Sequence, residues 1–251
     1  MTRIAVAGAT GRVGRHVVDV LHEGGHDVVA ISRANGVDVI SGEGLAAALE
    51  GVEVVIDTST GPSAEQGPAT EFFTTATRNL EEEGVKAGVQ KLVVVSIIGT
   101  GKSAGGYGAA KLAHERAALA GPIPARILRA AQFHEFVEVL MGWGRQGDVV
   151  YLPRMRTQIV AARTVAEALV DMALSQQLEG TQPAEIAGPR EEYLPDLAQL
   201  VAAKRGEAVK IEAVSNPADP DDALNSSGGL LPGPHATLAG PTFAEWLDAR
   251  P

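Results

Sequence analysis

The sequence predicts one α/β domain spanning all 251 residues, a parallel sheet with helices wound on both faces. Three observations carry that prediction. Strand-length apolar runs alternate with helix-length amphipathic stretches through the first half of the chain. The first apolar run, Ile4–Ala7, stops at the loop Gly8-Ala9-Thr10-Gly11-Arg12-Val13-Gly14 and restarts as a helical pattern. A later run, Val52–Ile56, is apolar or β-branched almost throughout, as a strand buried on both faces must be.

The elements follow in order. Ile4–Ala7 is the first strand. Arg12–Glu23 is a helix with Val13, Val17, Val20 and Leu21 on one face, ended by Gly24-Gly25. Val28–Ile31 is the second strand, Val37–Ile40 a short third, and Glu43–Leu49 a small helix. After Val52–Ile56 and the turn signal Gly61-Pro62, a helix runs from about Pro68 to Lys86. Lys91–Ile98 is a strand. The glycine-rich loop Gly99–Gly106 leads to a helix over Tyr107–Leu119, and Ala125–Leu128 is a strand. Such alternation gives right-handed crossovers and a doubly wound parallel sheet.

The second half differs. It predicts a helix near Phe133–Met141 and strand-like pieces at Val149–Leu152 and Gln158–Val160. A helix from Thr164 to Leu174 would be capped by Thr164 with Glu167 as its partner. Another helix covers Leu194–Ala203. Ser215–Pro241, rich in Pro, Gly, Asp and Ser, reads as loop, and Phe243–Leu247 is a short closing helix. No repeat or long linker interrupts the chain. A small C-terminal substrate-binding portion, mainly residues 133–160 and 180–251, is expected as insertions at the carboxyl edge of the sheet.

Composition narrows the function classes. Lys and Arg number 21 against 31 Asp and Glu, a net charge of −10, and no basic stripe carries interleaved aromatics; nucleic acid is not an expected partner. The chain has no cysteine, so disulfides, thiolate catalysis and Cys-bound metals are excluded. His22 and His26 straddle Gly24-Gly25 and form no helical metal pair, and no metal site is expected. With no basic-then-apolar leader and no apolar stretch of membrane length, a cytoplasmic protein off the membrane is the expectation, as monomer or homodimer.

The glycine loop points to a dinucleotide. Glycines permit the tight turn and close approach of backbone N–H groups to a pyrophosphate, here over Gly8, Thr10, Gly11, Arg12, Val13 and Gly14. At the end of the second strand stand Ser32 and Arg33, with no acid to accept from a ribose 2′-hydroxyl. Two arginines, Arg12 and Arg33, favour NADP(H) over NAD(H), because a guanidinium pairs with phosphate oxygens through two parallel hydrogen bonds. Asp38 is a candidate acceptor for the adenine amino group. Thr58, Ser59 and Thr60 end a strand where ligands of such folds lie.

Ser96, Tyr107 and Lys111 carry the candidate chemistry. Tyr107 and Lys111 are four residues apart, on one helix face. An ammonium beside a phenol lowers its pKa toward working pH, and Lys111 is also a candidate to hold a ribose. With Ser32-Arg33, Val37-Asp38 and Leu128-Arg129-Ala130-Ala131-Gln132-Phe133, these motifs resemble the short-chain dehydrogenase/reductase superfamily in its atypical, NmrA-like NAD(P)H-binding branch. The resemblance covers roughly residues 1–205, and Pro241–Leu247 is also similar. It implies a Rossmann-type sheet with NADPH at its carboxyl edge, Tyr107 as proton donor, Lys111 as its partner, and Gln132 and Phe133 near the nicotinamide end. His134 beside Phe133 is a candidate substrate contact, whereas His114 and Glu115 are expected in solvent.

One departure from the family pattern matters. The serine or threonine that polarises a substrate carbonyl usually follows the strand-end serine, and here those places hold Ile97 and Ile98. Three readings therefore remain open. The first is an NADP(H)-dependent oxidoreductase acting on a small carbonyl, enone or related metabolite. The others are a non-catalytic NADP(H)-binding regulator or redox sensor, and an isomerase or epimerase with bound cofactor.

Overall fold

A computed structural model of the chain describes residues 1–103, 105–176, 182–216 and 221–250. Residue 104 of the glycine-rich loop lies outside these, as do residues 180, 181, 217–220 and 251 of the expected substrate-binding portion. The first half alternates as predicted. It comprises β1 (Arg3–Ala7), α1 (Gly14–Glu23), β2 (Asp27–Ile31), α2 (Leu45–Ala48), β3 (Val54–Asp57), α3 (Gln66–Ala87), β4 (Lys91–Ile97), α4 (Gly106–Ala120) and β5 (Ala125–Ala130). The second half contributes α5 (Phe136–Gly144), β6 (Arg145–Gln146), β7 (Val149–Pro153), β8 (Arg156–Thr157), α6 (Ala162–Leu174), β9 (Ala184–Ala187), β10 (Glu192–Tyr193), α7 (Leu194–Arg205), β11 (Lys210–Val214), α8 (Asp222–Ser227), β12 (Thr237–Leu238) and α9 (Phe243–Asp248).

Seven strands form one parallel sheet in the order β12-β9-β5-β4-β3-β1-β2. Side chains alternate through it by the two-residue period of a strand. Ile4, Val6, Ile56, Val93 and Leu128 pack on one face against α1 and α6, through Val17, Leu21, Val165 and Leu169. Ala5, Ala7, Val55, Val94 and Ile127 pack on the other against α2, α3 and α4, through Leu45, Leu80 and Ala118. This is a Rossmann-like α/β fold. A separate apolar cluster joins α5, α7 and α9 to β7 through Met141, Leu197, Phe243 and Leu152.

Several expectations are corrected. Val37–Ile40 is no strand: Gly36 has φ +76°, and the Asp38 carboxylate accepts from Ile40 N at 2.8 Å. That local bond offers the backbone a turn in place of a ladder, so β2 stays at the sheet edge. Thr164 does not cap α6. The helix starts two residues earlier, Glu167 pairs with Arg163, and the Glu135 carboxylate accepts from Ala162 N at 3.3 Å. A capping box forms instead at α9, where Glu245 N donates to Thr242 Oγ1 and Thr242 N to Glu245 Oε2. The predicted loop 215–241 contains α8 and β12. Strands β9 and β11 carried no recognised signal. The strand-like piece expected at Gln158–Val160 is not a strand: β8 ends before it at Thr157, and only an isolated bridge joins Val160 to Phe133.

Glu81 on α3 supplies a stability test. Its side chain fills the space a Gly121 side chain would occupy at the end of α4, and Oε1 is buried with no partner among the described residues. Burial pushes its carboxyl up to about 7. The folded value lies above the unfolded one, so folding penalises the ionised form. Stability is intact below the ordinary carboxylate range and falls as pH rises toward 7. Glu81→Gln therefore raises stability at pH 8 by about 1–2 kcal/mol, after discounting for solvent screening, and leaves it nearly unchanged at pH 5. Thermal melts at the two pH values check this; equal gains at both would contradict it.

Candidate active site

The carboxyl ends of β1, β2 and β3 build the glycine cradle. Gly8 turns with φ +74°, and a Cβ there would lie 2.8 Å from Ser59 N and Cα. Gly8 N and Ala9 N donate to Ile31 O, and Gly11 N to Gly8 O, which closes the loop on itself. A Cβ on Gly14 would run into Gly8 O and stand 2.7 Å from Thr58 Oγ1. Thr58 Oγ1 donates to Ala7 O at 2.8 Å, tying the end of β3 to the loop. No side chain caps the N-terminus of α1, and the N–H groups of Arg12 and Val13 have no acceptor among the described residues. Such unpaired donors at the positive end of a helix dipole bind anions.

Further polar and charged groups stand around this cradle. Ser32 Oγ and Ser59 Oγ are buried without a partner among the described residues. Arg33 is exposed on a 3-10 turn, Arg33–Asn35, with no ion pair among the described residues. Arg12 is exposed too, its guanidinium 5.6 Å from the Phe136 ring centre. Asp38 keeps one oxygen on its own turn, which is anchored by Asn79 Nδ2 donating to Val39 O and Ile40 O.

Tyr107 sits in the first turn of α4, and Gln66 on α3 accepts from the Gly106 N–H at that helix start. The phenol lies 3.1 Å from Thr60 Oγ1, and its ring meets Phe73 edge-on at 5.8 Å. Through Thr60, Ser59 and Thr58 the hydroxyl is therefore joined to the wall of the glycine cradle. Burial raises the phenol pKa, and the Thr60 hydrogen bond offsets only part of that. The proton stays on the oxygen throughout the neutral range.

Ser96, Tyr107 and Lys111 are not hydrogen-bonded to one another. Ser96 Oγ donates to Glu115 Oε1 at 2.5 Å, inside a cluster where Arg129 grips both Glu115 oxygens. Lys111 is buried and donates to Val95 O at 2.8 Å and to His114 Nδ1 at 2.9 Å. Burial lowers its pKa to about 8. The expected depression of the Tyr107 phenol by Lys111 is thus absent, because the ammonium is spent beneath the sheet edge. His114 and Glu115, expected in solvent, are fully enclosed, His114 stacking on Phe73 at 4.6 Å and donating to Asp57. Sequence reading missed Asp57 and His114. The signal was available: His114 stands three residues after Lys111, on the same helix face.

His134 is likewise a core residue. It is buried against Phe243 and Trp246, and Nε2 donates to Ile159 O at 3.1 Å. Burial lowers its pKa to about 4, so it stays neutral and exchanges no proton near pH 7. Phe133 is half-buried and bridges Val160. Gln132 is held by Thr157 Oγ1, which donates to its Oε1 at 3.5 Å.

A family model described as NAD(P)H-binding matches residues 8–133, half of the chain. The chain belongs to the NAD(P)H-binding family. That agrees with the resemblance to the NmrA-like branch of the short-chain dehydrogenases/reductases. No curated protein matches the sequence. Among solved structures, the fold is similar to the NADPH-dependent quinone oxidoreductase QOR2 from Escherichia coli complexed with NADPH, at TM-score 0.71 and 19% identity over 98% of each chain. It is also similar to a short-chain dehydrogenase/reductase superfamily protein from Agrobacterium tumefaciens with bound NAD (TM-score 0.71, 17% identity, 98% of this chain and 95% of that one). A third is MoeE5 in complex with UDP-glucose and NAD (TM-score 0.69, 22% identity, 84% and 85%). Among the described residues no helix is long and apolar enough to cross a membrane, and no cluster of acidic and histidine side chains could hold a metal. The glycine cradle, the free helix end and the orphaned Ser32 and Ser59 hydroxyls fit a dinucleotide.

Proposed function

We propose that this protein is an NADP(H)-dependent oxidoreductase acting on a small carbonyl, enone or quinone-like metabolite. The observation that carries the reading is one continuous edge. It joins the glycine cradle, with exposed Arg12 in its loop and exposed Arg33 just after β2, to a protonated phenol through Thr58, Ser59 and Thr60. Gly8, Thr10, Gly11, Arg12, Val13 and Gly14 would hold the pyrophosphate. Ser32 and Arg33 would take the 2′-phosphate, with Thr58 and Ser59 along the riboses and Asp38 toward the adenine. When bound, NADPH supplies a hydride. Tyr107 gives its proton to the substrate oxygen that gains charge, and Thr60 Oγ–H then donates to the phenolate left behind. Phe133 would border the substrate within the portion formed by residues 133–160 and 180–251. Lys111 and Ser96 support this edge from below in place of touching substrate.

The test is consumption of NADPH and NADH against a panel of quinones, aldehydes and enones, paired with direct binding of both nucleotides. Turnover with NADPH over NADH is the expected result. Arg33→Asp lowers NADPH affinity by roughly 10–100-fold, the worth of a charge-assisted pair, and leaves NADH within about twofold. Equal losses for both nucleotides would contradict the 2′-phosphate assignment. A second reading, an NADP(H)-binding regulator, is favoured by one observation: the Ser96 and Lys111 side chains are both engaged away from Tyr107. It predicts tight NADPH binding with no turnover across the panel.

A further inference from the structure

Beneath the proton donor lies a buried polar chain. Lys111, His114 and Asp57 are 3%, 0% and 1% exposed. An ammonium has donors only, so Lys111 Nζ donates to His114 Nδ1 at 2.9 Å, and that fixes the tautomer. His114 Nε2–H then donates to Asp57 Oδ2 at 3.1 Å. Asp57 Oδ1 in turn accepts the Ser59 backbone N–H at 2.8 Å. Phe73 is the platform beneath all of it: His114 stacks on its ring, Lys111 Nζ lies 4.3 Å from its centre, and Tyr107 meets its edge. The result is a cation and an anion bridged by a neutral imidazole, with donors converging on Asp57, from Lys111 through His114 on one side and from the Ser59 N–H on the other.

A buried ion pair of this kind is weak evidence for stability, since desolvation offsets much of its attraction. Its placement suggests another use. One end grips α4 a single turn from Tyr107. The other grips the Ser59 N–H, between Thr58 of the glycine cradle and Thr60, the hydrogen-bond partner of the phenol. Two elements that must stay in register, the end of β3 and the first turns of α4, are connected through this buried chain as well as by the Thr60–Tyr107 hydrogen bond. We propose that Asp57 and His114 are positioning residues, holding the Ser59–Thr60 turn against α4 so that the Tyr107 hydroxyl and the cofactor wall keep one fixed separation.

The proposal rests on the reading of Tyr107 as proton donor only in its consequence for turnover. Its core is tested without catalysis, by Asp57→Asn. The amide keeps the shape and can still accept from Ser59 N, but its NH₂ faces His114 Nε2 and reverses the donor order. The probes are NADPH binding by fluorescence and the ring-carbon NMR signal of tyrosine labelled at Cζ, assigned through Tyr107→Phe. Ile123→Ala, in the α3 packing beside Gly84, serves as a destabilised control. The expected result is a displaced Tyr107 signal and NADPH binding weakened about tenfold in Asp57→Asn, with neither change in Ile123→Ala. If the protein turns over, kcat falls on the order of 10–100-fold while KM for substrate moves much less, because misplacement affects the reacting geometry. His114→Gln, which keeps one of the two ring-nitrogen contacts, gives an intermediate displacement. A Tyr107 signal and NADPH affinity as in wild type, in a folded Asp57→Asn, would overturn the proposal. So would an equal displacement in Ile123→Ala. Absence of turnover in the wild type, with the Tyr107 signal still displaced, would instead remove the oxidoreductase reading and keep the positioning role.

Discussion

Tyr107→Phe loses roughly 10²–10⁴ of its turnover while binding NADPH as wild type does. The lower figure is the usual contribution of one positioned acid, the upper that of an acid no water can replace. The substitution removes one oxygen. The ring keeps its edge-on contact with Phe73, and the hydroxyl of Thr60, in an exposed pair, regains a partner from solvent. Stability therefore changes by less than about 1 kcal/mol, the range of a solvent-replaceable hydrogen bond. Steady-state kinetics, a thermal melt and a nucleotide titration check the three parts together. Turnover unchanged in the phenylalanine variant would take Tyr107 out of the chemistry. A parallel loss of NADPH binding would make it a binding group. Because burial raises the phenol pKa, the acid stays protonated across neutral pH, so kcat shows no fall from its ionisation below the ordinary tyrosine range.

How much of this was legible in the sequence follows from how far each signal reaches along the chain. Ile4–Ala7 and Val52–Ile56 announced themselves because a strand covered on both faces must be apolar throughout. The glycine loop was legible because close approach of Ser59 to Gly8 and of Gly8 O to Gly14 demands glycine at both, and glycines show in the sequence. Ala184–Ala187 carries two alanines and a glutamate, yet it extends the main sheet beside β5, because only the tertiary frame decides that pairing. The site divides in the same way. Tyr107 and Lys111 share a helix face, and the spacing shows it, but spacing does not show which way an ammonium turns. Val95 O comes from β4, which nothing near Lys111 in the sequence advertises, and with His114, one turn along the same helix, it takes Lys111 from Tyr107. His134 illustrates the converse. Its neighbours Phe243 and Trp246 come from the far end of the chain, so the residue that looked poised beside Phe133 is packing.

Gly14→Ala is expected to abolish nucleotide binding, although the same change in an ordinary helix is favourable by about 1 kcal/mol. Gly14 opens α1, and its φ is not the issue. The obstacle is space. The added carbon would collide with Gly8 O and approach Thr58 Oγ1 to 2.7 Å, and the first of these atoms belongs to the backbone of the cradle. Gly8 cannot yield, because it is itself hemmed by Ser59 backbone atoms at 2.8 Å and held by Ile31 O. Either α1 backs away from the loop or the loop shifts on β3. Both movements take the N–H groups of Arg12 and Val13 out of the position proposed to hold the pyrophosphate, which costs those charge-assisted bonds at about 1.5–3 kcal/mol each. NADPH affinity falls by more than about 100-fold, and overpacking removes roughly 1–3 kcal/mol of stability. Isothermal titration at a temperature well below the melt separates the two effects, since a folded protein that no longer binds reports on the cradle alone. An alanine variant that bound NADPH normally would mean that the pyrophosphate does not lie on the turn between β1 and α1.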